Sequence, residues 1–161
     1  MITAEELREQ LDYDPETGVF TRRVTMSNCI KIGDVAGSLS DEGYLRFRVG
    51  NKIYSAHRLA WLYVYGVWPM KDIDHVNGAR NDNRIANLRE ATRAENVQNA
   101  KKRSGARCRL KGVHMRKHRF CAQIKVNKKS VFLGIYDTEE EAHAAYVAAA
   151  EKEFGAFARA K

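Results

Sequence analysis

The chain has 161 residues, 44% of them hydrophobic, enough for one ordinary domain or two small ones with a real core. Its 28 Lys and Arg residues outnumber 20 Asp and Glu, a formal charge of +8 that directs attention to polyanionic partners. No run approaches the roughly eighteen apolar residues of a membrane span, the opening residues MITAEE are polar and acidic, and three widely spaced cysteines, Cys29, Cys108 and Cys121, form neither a zinc CxxC pair nor a disulfide framework. The expectation is a soluble cytoplasmic protein whose thiols are reduced and serve in packing.

Taken in chain order, Leu7 and Leu11 fit a short N-terminal helix, and Asp14-Pro15-Glu16-Thr17-Gly18 reads as a turn into a strand over 19–23. Tyr44-Leu45-Arg46-Phe47-Arg48-Val49 alternates, and Gly50-Asn51 turns it into Lys52-Ile53-Tyr54, a hairpin. From His57, the spacing of Leu59, Leu62 and Tyr63 with Gly66 behind them predicts a helix and its stop.

Ile73-Asp74-His75-Val76-Asn77-Gly78 then sets a carboxylate beside an imidazole in a hairpin-like setting. Neighbouring side chains on a strand point oppositely, so the two can serve one substrate only at a strand end or around the backbone. The run continues through Asn81-Asp82-Asn83-Arg84 and Asn87-Leu88-Arg89, and Thr92 with Glu95 forms a capping box that opens a helix and puts Asn96 in its first turns.

The stretch Lys101-Lys102-Arg103-Ser104-Gly105-Ala106-Arg107 has no apolar periodicity, so a linker over 102–110 is expected to divide a domain at 1–101 from another at 111–161. Beyond it, strands near 112–116 and over 119–126 and 130–136 precede the capping box Thr138-x-x-Glu141. Ala142, Ala145, Tyr146 and Ala149 follow as one amphipathic stripe. Three antiparallel strands on one helix make a complete two-layer unit.

Charge is segregated along this map. Between Asn96 and Tyr136 there are twelve basic residues and no acidic one, leaving 16 basic against 20 acidic residues elsewhere. A solvated face mixes signs, so the window is read as a phosphate-tracking surface.

The ordered series His57-Arg58-Leu59-Ala60, Asp74-His75-Val76-Asn77-Gly78, Asp82-Asn83-Arg84, Asn87-Leu88-Arg89, Asn96 and Asn99 resembles the HNH endonucleases of ββα-metal fold, in particular their phage and intron-encoded homing branch. That resemblance implies His75 as general base, Asp74 as metal ligand, Asn87 as the residue bracing the catalytic loop, and Asn96 as completing the metal site, where many members carry His. Downstream, Gly112-Val113, Ala122-Gln123-Ile124, Leu133-Gly134-Ile135-Tyr136, Thr138-Glu139-Glu140-Glu141-Ala142, Ala145-Tyr146 and Phe154-Gly155-Ala156-Phe157-Ala158 resemble the ethylene-response-factor type of plant DNA-binding domain. Its sheet enters the major groove, which nominates Arg116, Arg119, Lys125, Lys128 and Lys129 as DNA contacts, with Phe120 standing where the second strand usually has Trp.

The residue types suit that chemistry. A neutral imidazole can activate water near neutral pH, and the Asp74 carboxylate and Asn96 amide are hard oxygen donors that suit Mg²⁺, with Mn²⁺ as a substitute, rather than zinc. The expected architecture is α+β, a ββα-metal nuclease domain followed by a three-stranded antiparallel sheet packed on one helix. The expected function is metal-dependent hydrolysis of phosphodiester bonds in double-stranded DNA, one nick per active site, by a monomer or weak dimer without an organic cofactor. The rival is a non-catalytic DNA-binding regulator. Arg84 is a further candidate phosphate contact; Asn83 is expected to fix the loop and His57 to pack. Asp72, Asp82 and Glu90 are expected to be solvated or capping carboxylates, and His114, His118 and His143 ordinary.

Overall fold

The computed structural model describes residues 1–99, 108–155 and 158, so most of the expected linker, 102–107, lies outside the described residues. The chain divides into two compact units, Met1–Thr92 and Arg93–Lys161. Among the described residues no helix is long and apolar enough to cross a membrane.

The first unit opens with α1 (Ala4–Gln10), whose N-terminus is closed by a reciprocal box between Thr3 and Glu6. Leu11, expected inside this helix, instead terminates it with extended backbone and begins β1 (Leu11–Asp14). Two Asp residues at alternate positions of a four-residue strand hide its periodicity from sequence. β1 pairs antiparallel with β2 (Val19–Arg22), placing Tyr13 opposite Phe20. The connecting turn is fixed by the Asp14 carboxylate, which accepts from Glu16 N at 2.9 Å and Thr17 Oγ1 at 2.7 Å.

β3 (Ser38–Leu39), β4 (Leu45–Val49) and β5 (Lys52–Ser55) form a second antiparallel sheet in that order. β5 runs directly into α2 (Ala56–Tyr65), which stops at Gly66 in the left-handed region, φ 76°, with its N–H on Leu62 O. Leu59 and Leu62 point from α2 into a core shared with Leu7, Leu11 and Phe20. Each such fully buried side chain contributes about 1.5–3 kcal/mol. Ile73 and Leu88 extend this core to a third sheet, the antiparallel pair β6 (Asp72–His75) and β7 (Leu88–Ala91). A loop at 76–87, ending in a 3-10 turn Ile85–Asn87, joins them.

The second unit begins with α3 (Arg93–Asn99) and continues with β8 (Val113–Arg116), β9 (Arg119–Val126) and β10 (Lys129–Tyr136), an antiparallel sheet with β9 central. Asn127 and Lys128, both at positive φ, make the tight β9–β10 turn. α4 (Glu139–Phe154) starts on a reciprocal box between Thr138 and Glu141 and lays Ala142, Tyr146 and Ala150 against the sheet. Tyr146 packs so tightly on the turn before β8 that a Cβ at Gly112 would collide with its ring.

Alternation on β9 sends Ala122 and Ile124 towards α4 and Arg119, Gln123 and Lys125 to the other face. Phe120 packs in the core with Cys108 and Ala122, so it does not take the place of an outward tryptophan. The exposed aromatic of this sheet is Phe132, opposite Gln123. Cys108 and Cys121 are buried as expected, whereas Cys29 is exposed, because it lies in an irregular loop and not on a core element.

Candidate active site

β6 is buried along most of its length, with Asp74 7% and His75 4% exposed. The ladder sets Asp74 opposite Arg89 and His75 opposite Leu88. Arg89 Nε and NH2 both donate to Asp74 Oδ2, at 3.0 and 2.8 Å, so a strand-to-strand ion pair fixes the carboxylate. His75 is the last residue of β6, the strand-end position that lets its side chain turn away from the ladder.

Its imidazole stands in an aromatic pocket. The His57 ring, from the start of α2, meets it edge-on with centroids 5.2 Å apart, and Tyr44, just ahead of β4, lies 5.9 Å away. Tyr44 also contacts His57 and carries the Arg80 guanidinium over its face at 5.0 Å. Arg80 is held by its NH1, which donates to Glu42 O. Burial pushes the His57 pKa down to about 3, with His75 as the next cause, and the Nδ1 of His57 meets no acceptor. Burial also lowers His75, opposed by hydrogen bonding from the Asn83 side chain and by the charge of Asp74. Both rings are therefore neutral at pH 7, the state a proton acceptor requires.

The 76–87 loop is stitched across its neck. Asn87 Oδ1 accepts from Asn77 N at 2.9 Å, and Asn87 Nδ2 donates to Asp82 O at 2.8 Å. Asp82, expected as a solvated or capping carboxylate, accepts from Asn77 Nδ2 and from Arg84 Nε and NH2. The Arg84 pair holds its pKa at about 2. Arg84 remains half exposed, so its charge lies at the surface although one carboxylate already shares it. Asn83, 1% exposed, donates to Asn81 O, and its own carbonyl accepts the Tyr13 hydroxyl at 2.7 Å. Ile85 N reaches Pro15 O, so the β1–β2 hairpin backs the loop at two points.

Four expected site residues, Asp74, His75, Arg84 and Asn87, thus fall within one strand–loop–strand segment. Asn96 lies half-buried on α3 in the second unit. On the C-terminal sheet Arg116, Lys125, Lys128 and Lys129 are exposed, and Arg119 pairs with Asp137 at 2.8 Å. Sequence reasoning did not nominate Tyr44 or Arg80, and it treated His57 as packing. Arg80 carried one legible signal, being the sole cation of the 76–83 stretch.

The resemblance implies a divalent ion, and the donor set can be tested for it. Among the described residues no three His, Cys, Asp or Glu side chains converge as a protein cage would need. What β6 supplies is one carboxylate beside a neutral imidazole. A hard divalent cation that keeps most of its waters requires little more from the protein, so Asp74 fits such an ion, whereas the described donors do not make a structural zinc cage. Arg89 is the cation with which such an ion would share Oδ2.

A family model described as HNH endonuclease matches residues 54–98, from β5 to α3, a stretch that contains His57, Asp74, His75, Arg80, Arg84, Asn87 and Asn96. Comparison with curated proteins gives no match.

Proposed function

We propose that the chain is a divalent-metal-dependent endonuclease that hydrolyses one strand of duplex DNA at His75. The observation that carries this reading is the HNH family match over the segment whose strand end holds a neutral, enclosed imidazole beside a fixed carboxylate. His75 takes the proton of a water whose oxygen bonds to phosphorus, the P–O3′ bond breaks, and the departing 3′ oxygen takes a proton from solvent, leaving 3′-hydroxyl and 5′-phosphate ends. Asp74 would hold the metal ion, which when bound supplies neutralisation of charge on the pentacoordinate phosphorus and the departing oxygen. Sequence resemblance, and not geometry, nominates Asn96 as a second ligand.

The remaining residues position and bind. Asn87 keeps the loop neck closed, and His57 and Tyr44 pack against the imidazole and fix its orientation. Arg80 and Arg84 offer guanidinium groups to the phosphates flanking the scissile bond. At 4% exposure His75 is less open than a base meeting a phosphodiester must become, so Tyr44, Arg80 or the loop beside them has to yield as DNA docks. The outward face of the C-terminal sheet, with Arg116, Lys125 and the exposed ring of Phe132, together with Lys128 and Lys129 exposed at the β9–β10 turn, is the proposed anchor for the duplex. Arg119 contributes less there, since Asp137 already shares its charge.

The direct test is incubation of the full chain with supercoiled plasmid and Mg²⁺. Accumulation of open circles supports the reading; supercoils that persist at high enzyme excess overturn it.

A further inference from the structure

We propose that the first unit carries a phosphate subsite of its own, a groove between β2, β4 and the 29–38 segment in which Arg22 and Arg48 receive a backbone phosphate of DNA. The identity of the ligand as DNA rests on the nuclease reading above.

Arg22 closes β2 and is only 6% exposed, an unusual position for a guanidinium. Its charged end lies 5.8 Å over the Phe47 ring, NH1 donates to Arg48 O at 3.2 Å, and Nε meets no acceptor. No carboxylate among the described residues forms an ion pair with it. A buried charge without a counter-ion is costly, and a fold that keeps one is usually satisfied by something else. Burial lowers the Arg22 pKa, as expected for uncompensated charge.

Arg22 lines a groove of about 560 Å³ together with Arg46 and Arg48 from β4. Arg46 is shared with Glu42 at 3.1 Å. Arg48 is exposed and makes no ion pair among the described residues, so two of the three guanidinium groups lack an acidic partner. The acidic residue of the groove is Asp34, whose Oδ2 accepts from Lys31 N. Planar guanidinium groups match phosphate oxygens in pairs, with the exposed Arg48 as the direct donor and the buried, unpaired charge of Arg22 behind it, which favours a phosphodiester over an apolar ligand. This site is independent of the basic window at 97–135, since every lining residue precedes Val49.

The test is a salt titration of duplex binding by the full chain and by Arg48→Gln, Arg22→Lys and Lys52→Gln. Lys52 is exposed on β5 and does not line the groove, so its variant controls for loss of one charge. Arg48→Gln should flatten the slope of log affinity against log salt by about 0.9 and weaken binding about fivefold at 0.15 M salt, as expected for one phosphate contact. Arg22→Lys keeps the charge but loses the planar fork, and should weaken binding at every salt concentration. Lys52→Gln should change neither quantity. Wild-type slope and affinity for Arg48→Gln, in a protein that binds and nicks DNA, would overturn the subsite and leave the nuclease reading intact. Absence of both binding and nicking in the wild type would overturn both. Inorganic phosphate supplies the remaining arm: a thermal midpoint raised by phosphate in the wild type and not in Arg48→Gln, with unchanged DNA slopes, would assign the groove to free phosphate and overturn its assignment to the backbone.

Discussion

Arg89 and Asp74 face each other across the β6–β7 ladder, the arginine donating through both Nε and NH2 to one carboxylate oxygen at 3.0 and 2.8 Å. Both side chains are largely buried, 19% and 9% exposed. Replacing the arginine by methionine removes the cation facing that carboxylate, and the expected cost is about 3 kcal/mol of stability. A divalent ion can serve as the replacement charge, so Mg²⁺ should recover part of the loss in Arg89→Met and raise its unfolding midpoint more than that of the wild type. Equal Mg²⁺ effects on both proteins would separate Asp74 from metal binding.

Metal dependence of cleavage follows from the same residue. Asp74→Ala and Asn96→Ala should each raise the Mg²⁺ concentration needed for half-maximal nicking. EDTA should stop the wild type. Undiminished cleavage in EDTA would contradict a divalent-ion mechanism.

His57 makes stability depend on pH in a calculable direction. Its folded pKa of about 3 lies below the unfolded value of 6.5, so the unfolded chain takes up the proton first. The histidine costs nothing above pH 6.5. Stability then falls as pH is lowered from 6.5 towards 3, by up to about tenfold in the folding constant per pH unit. Denaturant unfolding at pH 7, 6, 5 and 4 should show a shallower decline in His57→Gln than in the wild type, whatever the variant's stability at pH 7. Parallel declines would mean that the ring titrates normally.

Much of this arrangement was legible in the sequence because it is local. The hairpin over 44–54, the helix stopped by Gly66, and the capping box at Thr138 rest on turn and cap chemistry that acts over three or four residues. The burial of Asp74 and His75, and the arrival of Tyr44 and His57 at the imidazole from elements some twenty to thirty residues upstream, depend on tertiary packing that no spacing rule encodes. β1 was missed for a related reason. Its alternation is clear only once Leu11 and Tyr13 are seen to share the core of the first unit. Phe120 shows the reverse, since strand parity, once the register is known, turns it inward.

The β1–β2 turn offers a test of action at a distance. Gly18, at φ 74°, lies so close to the 83–84 backbone that a Cβ there would stand 2.5 Å from Arg84 N and 2.6 Å from Asn83 C. Gly18→Ala should displace the loop that carries Asn83 and Arg84 and lower nicking at least tenfold, through a misplaced site, with a much smaller loss of DNA affinity because the C-terminal sheet still anchors the duplex. Wild-type turnover would show that the hairpin supports the fold but not the site.

The role of His75 as the base is tested by comparing wild type and His75→Ala for plasmid nicking and for duplex affinity in one buffer. The rate should fall by about 10²- to 10⁴-fold at nearly unchanged affinity, because only proton transfer is lost. A His75→Ala chain that opens supercoiled plasmid at close to the wild-type rate would contradict that role.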